Sequence, residues 1–402
     1  MSCILSDAAP EHAGRTPELA DIFNQFAGEL PPLLPVQSKA VRDIVKCRTP
    51  AMGGHMHQCD HCGHQVNLYN SCRNRHCPKC QSLNQARWLD AREKDLLPVE
   101  YFHVVFTIPN TLHSIFRSNT RVCLNLLFAS VSETLQEVAL NPERLGAKIG
   151  FIAVLHTWTQ TLLYHPHLHC IVPGGGLSPD GTNWLACDAG FFLPVPVLSA
   201  VFRGKLLSKF EAAIDDGKIP QSGTDAKALL RKAARPSWVV YCKPPFAGPK
   251  QVLRYLGRYT HRIAISNHRI VSMRDKTVTF RYRDRADGNK QKLMTMDAVS
   301  FLKRFLAHIM PSGFMRIRHF GFLANAVRKK ALALCRAHLK DNALNRDDDI
   351  GDDDSWQKLF ERLTGIDVTV CPVCSSGRLI CRETIPSKPR RWLHGGRAAE
   401  YG

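Results

Sequence analysis

The stretch "GFIAVLHTWTQTLLYHPHLHCIVPGGG", residues 150–176, decides how this chain is read. It is apolar, rich in β-branched residues and closed by three glycines, yet it carries His156, His165, His167 and His169. Side chains alternate between the two faces of a strand, so His165, His167 and His169 share one face while Leu168, Cys170 and Val172 take the other. The same rule sets Val154, His156, Trp158 and Gln160 on one face of the preceding segment. If the two segments pair, His156 or Gln160 meets His167 and His169 and completes a three-ligand metal site with an open position, able to polarise a phosphate oxygen. One histidine in such a strand reads as core; three in alternation before a glycine turn point to a metal.

Working outward, "YFHVVFTIP" alternates and is β-branched, and predicts a strand. Helical periodicity follows from Thr111 to about Leu140, and again from Ala200 to Asp216. Strands are expected in "SWVVYCK" and "KTVTFRYRD", and helices in "KQVLRYLGRYTH", "AVSFLKRFLAHIM" and "FLANAVRKKALALCRAHL". The mixture predicts an α+β fold, a sheet with helices packed against it. Four regions are expected. Residues 1–35 form a flexible arm or leading helix, 36–98 a metal-binding domain, 99–320 the main domain, and 321–402 a helical basic region with an acidic loop and tail.

The 402 residues hold 54 Lys and Arg against 35 Asp and Glu, a formal charge of +19, even though six aspartates sit in one run at 347–354. A surplus of that size attracts polyanions, nucleic acid first among them. No run of about 18–20 apolar residues is present to span a bilayer, and the first residues do not have the pattern of a secretory signal. No G-x-x-x-x-G-K-[ST] phosphate loop occurs, so no nucleotide cofactor is expected. A reducing cytosol fits the cysteines, which cluster instead of forming a disulfide framework.

Six of the fifteen cysteines lie between Cys47 and Cys80. Cys59/Cys62 and Cys77/Cys80 are two C-x-x-C pairs separated by fourteen residues, the spacing of a structural zinc site with four thiolates and no open position. Cys47, His57, Cys72 and His76 remain nearby and are candidates for a second zinc. The "RNRH" beside the second pair (residues 73–76) is either a DNA-reading element or part of a structural staple. Cys371 and Cys374 form half a site, with Cys381 the nearest further thiol and no fourth ligand evident.

Tyr255 and Tyr259 in "VLRYLGRYTHRIAI" stand at i, i+4, on one face of the expected helix. Arg254, Arg258 and Arg262 make that helix strongly basic, which suits a phosphate-bearing strand and favours the phenolate form of a neighbouring tyrosine.

The pairing of "HLH" (His167 to His169) with the later "YLGRY" resembles the HUH single-strand endonucleases, and within them the two-tyrosine rolling-circle insertion-sequence transposases. The likeness extends over "SCRNRHCPKCQ", "LHTWTQTLLYHPHLHCIVPGGG", "YLGRYTHRIAISNHRI" and "GFMRIRHFGFLAN", in that order. It implies a zinc-ribbon-like amino-terminal domain, an endonuclease domain with a central antiparallel sheet and helices, and a bacterial cytoplasmic protein at the nucleoid. It implies that His156, His167 and His169, with Gln160 as the alternative third ligand, hold catalytic Mg²⁺ or Mn²⁺, while zinc is structural. Tyr255 and Tyr259 match the nucleophile pair, and Arg254, Arg258, Arg262 and His165 become DNA contacts. The implied partners are single-stranded DNA at element ends, target DNA and a host helicase. Related replication initiators often carry Lys where this chain has Arg258, so no Lys acid/base role carries over. The rival readings are a replication initiator or relaxase, and a non-catalytic zinc-dependent DNA-binding protein.

Overall fold

Helix and strand formers follow one another along the chain in the computed structural model, which describes residues 15–80, 85, 88–89, 91–220, 226–243, 251–252, 257, 263–340, 357–358, 361 and 365–387. Tyr255, Tyr259, Arg254, Arg258, Arg262 and the acidic run lie outside the described residues. Helices α1 (Leu19–Phe26) and α2 (Pro35–Lys46) come first, then the hairpin β1 (Gly54–Cys59) and β2 (Gln65–Tyr69). Strand β3 (Tyr101–Thr107) leads into α3 (His113–Ser118) and α4 (Thr120–Leu140), so the single helix expected from Thr111 is broken at Asn119. β4 (Gly150–Trp158) and β5 (Tyr164–Pro173) follow, joined by a tight turn in which Leu162 adopts φ 62°.

Next come the small hairpin β6 (Gly175–Leu177) and β7 (Trp184–Ala186), helices α5 (Val195–Asp215) and α6 (Ala226–Ala234), and β8 (Val240–Lys243). The meander β9 (Ile270–Arg274), β10 (Thr277–Asp284) and β11 (Lys290–Asp297) runs into α7 (Ala298–Leu306), whose first turn is capped by the Asp297 carboxylate accepting from the Ser300 amide at 2.8 Å. β12 (Ile317–Gly321), α8 (Arg328–His338) and β13 (Leu379–Ile385) complete the described elements.

The central sheet has the order β12-β4-β5-β3-β8, every pair antiparallel. Period-two alternation sorts its side chains. Phe102, Val104, Phe106, Phe151, Leu155, Leu168, Cys170 and Val172 face α4 and α5 and form the main core with Phe128, Phe202 and Phe210. Each of these large apolar side chains contributes about 1.5–3 kcal/mol on burial. The opposite face of β3, β4 and β5 carries His103, His156, His167, His169 and Ile171. That face is itself covered in part, Ile152 and Val154 by Phe322, Leu323 and the α8 residues Leu332 and Cys335, and Tyr101 and Ile171 by Val252.

A second core joins the amino-terminal helices to the meander. Leu19, Ile22 and Phe23 of α1 are fully buried against α7, with the Phe23 and Phe305 rings 5.8 Å apart. Of the two expectations for residues 1–35, this part is the leading helix. The "KTVTFRYRD" strand belongs to this three-stranded β9–β11 sheet and not to the central one. The basic region carries its helix, α8, and the tail carries a strand: β13 returns to pair antiparallel with β1, from Gly54 opposite Ile385 to Cys59 opposite Leu379.

Candidate metal centres

The three-histidine cluster is a product of strand register. His156 lies directly opposite His167 across β4 and β5, and Val154 opposite His169. The ring centroids are 5.6 Å (156–167), 4.6 Å (156–169) and 4.8 Å (167–169) apart, and one nitrogen from each ring lies within 4.8 Å of the others. His156 and His169 are buried and His167 is half-buried, so the cluster meets solvent at His167. Gln160 falls in the turn beyond the end of β4, where its carbonyl accepts from Arg269 at 2.5 Å; the histidines come together without it.

Two of the rings are held by their second nitrogen. His167 Nδ1 donates to the His165 carbonyl at 2.6 Å, which leaves Nε2 as its ligand atom. His169 Nδ1 lies 2.8 Å from Nε2 of His103 on β3, with the two rings stacked 12° from parallel. His165, half-buried beside His113 and His167, thus helps the cluster through its backbone. Sequence reasoning missed His103. Its signal was present in "YFHVV", but only the β3–β5 pairing brings it beside His169.

Burial keeps these imidazoles uncharged. It pushes His167 down to about 4 and His103 to about 3, holds His169 far below the ordinary histidine range, and lowers His165. At all four the positive charge of Arg285, exposed in the β10–β11 connection, adds to the effect of burial. Neutral imidazoles are the form that binds a metal.

The segment that carries the two tyrosines is described at Val252 and Gly257. Val252 is fully buried with Tyr101 and Ile171, two residues on the histidine face of the sheet. Gly257 accepts a hydrogen bond from Gln85 Nε2, and a Cβ there would stand 2.7 Å from Leu89. The segment between the two tyrosines thus passes close to Gln85 and Leu89 at Gly257, where a side chain would have to displace the Leu89 methyls.

The cysteines are grouped differently from the expectation. Cys59 and Cys62 do not meet Cys77 and Cys80; they meet Cys371 and Cys374, while Cys77 and Cys80 meet Cys47 and Cys72. The hairpin explains the division. Cys59 ends β1, and the five residues of β2 run back along β1 for roughly 16 Å before the chain reaches Cys72, beside the end of α2 and Cys47. In the first cluster Cys47 and Cys72 lie 3.4 and 3.6 Å from Cys80, sulfur to sulfur. A zinc tetrahedron with Zn–S bonds near 2.3 Å has sulfur edges of about 3.8 Å. Sulfhydryl donation from Cys47, Cys72 and Cys77 drives Cys80 far below the ordinary thiol range.

His57 and His76 belong to neither cluster. His76 Nε2 accepts from the Met310 amide at 3.3 Å, and His57 sits within β1, opposite Cys381 of β13. Arg75 donates to the carbonyls of Phe314 and, at 2.7 Å, Pro311. Arg75 and His76 of "RNRH" thus serve the staple, docking the zinc segment on the loop before β12.

A three-histidine cluster on an antiparallel sheet and two clusters of four thiols, each able to hold a metal ion, stand in a chain whose charge of +19 suits a polyanionic partner such as nucleic acid. Residues 150–331 match a family model described as "Putative transposase", and residues 19–108 match one described as "Transposase zinc-binding domain". Among curated proteins, "Putative transposase y4qJ" of Sinorhizobium fredii is 47% identical, over 94% of this chain and 98% of its own length. "Transposase for insertion sequence element IS801" of Pseudomonas savastanoi pv. phaseolicola is 27% identical, over 73% of this chain and 71% of that protein. No solved structure matches. The chain belongs to the IS91/IS801 family of insertion-sequence transposases, proteins whose substrate is DNA, and it carries the family's zinc-binding domain. Among the described residues, no helix is long and apolar enough to cross a membrane.

Proposed function

We propose that this transposase nicks and rejoins single-stranded DNA at the ends of its element through a 5′-phosphotyrosine intermediate, in rolling-circle transposition. The observation that carries the reading is the His156, His167 and His169 cluster, which meets solvent at His167. The donor set fits a divalent ion: three imidazoles converge, burial keeps His167 and His169 neutral, and engaged Nδ1 atoms on those two leave Nε2 for the metal. Mg²⁺ or Mn²⁺ held there supplies Lewis-acid relief of the charge that builds on the scissile phosphate.

The chain's own residues do the remainder. The phenol oxygen of Tyr255 or Tyr259 attacks phosphorus; the Tyr O–P bond forms as the P–O3′ bond breaks, and the phenolic proton ends on the departing 3′ oxygen. The products are a 5′-phosphotyrosine and a free 3′-hydroxyl. The phosphodiester's energy is retained in the protein linkage, so a 3′-hydroxyl can reverse the step without a nucleotide cofactor. Two tyrosines let two ends be handled in turn, as transfer from donor to target DNA requires, with unwinding left to a host helicase. Support for their place at the site comes from Val252 and Gly257, which anchor the segment on the histidine side of the sheet. Arg254, Arg258 and Arg262 hold strand phosphates. Cys47, Cys72, Cys77 and Cys80 bind the structural zinc of the amino-terminal domain.

The test is a labelled single-stranded element end incubated with Mn²⁺ or Mg²⁺ and run on a denaturing gel. A covalent protein–DNA adduct is expected, lost with chelator, with Tyr255→Phe/Tyr259→Phe, and with His167→Ala/His169→Ala. An adduct that survives the tyrosine change sinks the nucleophile assignment; one that survives the histidine change sinks the metal site.

A further inference from the structure

We infer that Cys59, Cys62, Cys371 and Cys374 bind a second zinc ion, which clasps the carboxy-terminal segment 365–387 onto the amino-terminal zinc domain. Cys371 and Cys374 lie outside both matched family regions, which end at residues 108 and 331. Each C-x-x-C is a half-site, two thiols on one tight turn, and a half-site needs a partner to close a tetrahedron.

The fold brings the two turns face to face. Cys59 Sγ lies 3.6 Å from Cys374 Sγ and Cys62 Sγ 3.7 Å from Cys371 Sγ, close to the sulfur edge of about 3.8 Å in a zinc–thiolate tetrahedron. All four sulfurs fall within 4.8 Å of one another. Backbone amides already point at the sulfurs: His61 and Cys62 donate to Cys59 Sγ at 3.4 and 3.5 Å, and Gly377 donates to Cys374 Sγ at 3.4 Å. Such amide donors offset thiolate charge and orient the ligands.

Three further features show that the turns are matched to each other. The Asp60 amide donates to the Arg378 carbonyl at 3.1 Å, and the Arg378 amide donates to the Asp60 carboxylate at 2.7 Å. β13 continues from the second turn as a strand paired along the whole of β1. At Gly377 a Cβ would lie 2.5 Å from Cys59 Sγ and 2.6 Å from His61 Cβ, so the second turn approaches the first as closely as only glycine allows.

The full chain, purified under reductant and loaded with ¹¹³Cd²⁺, tests the inference. Two resonances in the tetrathiolate region are expected from the unmodified protein; a single one would overturn the clasp whatever any variant does. Zinc content by mass spectrometry is expected to fall by one ion per chain in Cys371→Ser/Cys374→Ser, and cobalt–thiolate charge-transfer absorbance by about half. Unchanged zinc and absorbance would refute the second site. The histidine cluster adds no thiolate signal, so these readouts are independent of the DNA-cleavage reading. Gly377→Ala keeps every cysteine and is expected to loosen segment 365–387 to limited proteolysis; protection equal to the parent would argue against the close approach.

Discussion

On the assignments proposed above, the histidine cluster and the thiol clusters would hold metal by opposite constructions. His156, His167 and His169 stand on two strands already locked into a five-stranded sheet, with Leu155 and Leu168 of the same strands in the main core. The scaffold is complete before a metal arrives, so the metal gains geometry without supplying it. The thiols lie on turns and at element ends, and the metal itself joins them. Cys47 and Cys80 close a span of 33 residues; Cys59 and Cys374 close one of 315. By chain statistics the longer closure costs only about 2 kcal/mol more than the shorter, small beside the roughly 10–16 kcal/mol that structural zinc supplies in small domains. A chemical site belongs on rigid strands, and a staple belongs where segments distant in sequence must meet.

Stripping metal should separate the two most widely. Cys47→Ser, or a strong chelator under reductant, is expected to lower unfolding free energy by several kcal/mol, because folding and ligation are coupled in thiolate sites. His167→Ala, at a half-buried position on a preformed sheet, is expected to shift stability by about 1 kcal/mol while abolishing adduct formation. Denaturant unfolding of both variants checks this. Equal losses would mean that the histidine metal is also a staple, and the contrast would fail.

The same contrast marks what could be read from the sequence. Alternation within residues 150–176 put His156 and Gln160 on one face as alternative partners of the His167/His169 pair, and the β4–β5 register sets His156 opposite His167. The α+β class and the long apolar elements β3, β4, β5, α5 and α7 were legible from equally local patterns, whereas the short hairpins β1–β2 and β6–β7 were not. The partner of a C-x-x-C is not local. Cys59/Cys62 had a neighbouring pair fourteen residues on and a true spatial partner over three hundred residues away, and only the direction taken by β2 decides between them. His103 was invisible as a neighbour of His169 for a related reason, since β3 reaches β5 only after helices α3 and α4 and strand β4. Nothing in the sequence set Arg285 beside the histidines.

Acid attacks both regions, and His308 separates its effects. This buried histidine donates from Nε2 to the Leu162 carbonyl at 3.1 Å and accepts at Nδ1 from Thr157 at 3.2 Å, bracing the β4–β5 turn from the turn that follows α7. Burial pushes it down to about 4, against a hydrogen bond that alone would raise it. The unfolded chain, with a histidine near 6.5, therefore takes up the proton first. The stabilising difference is complete above about pH 6.5 and is lost as pH falls towards 4, a change on the order of 3 kcal/mol. Zinc release from protonated thiols occurs in both proteins, so the measurement is the difference between wild type and His308→Gln in unfolding free energy across that window. A difference that does not vary with pH would show that His308 is not held neutral.

The finest distinction lies inside the histidine cluster. If rigidity is what the sheet provides, His103 contributes to it as a positioning residue that touches no substrate. With Nε2 of His169 on the metal, its Nδ1 carries the proton and donates to His103 Nε2 at 2.8 Å, which fixes both tautomer and ring direction. His103→Phe removes the acceptor and keeps an aromatic ring of similar size, so the fold should change little. Loss of an outer partner of this kind typically weakens metal binding 10–100-fold, or about 1.4–2.7 kcal/mol. His103→Gln, whose side-chain carbonyl can still accept, is expected to recover part of that loss. Mn²⁺ titration of adduct formation gives the metal dependence, and the plateau at saturating Mn²⁺ gives the chemical step. A shift in the midpoint with the plateau nearly kept is the signature of positioning. A lower plateau with an unmoved midpoint would instead place His103 in contact with the reacting strand.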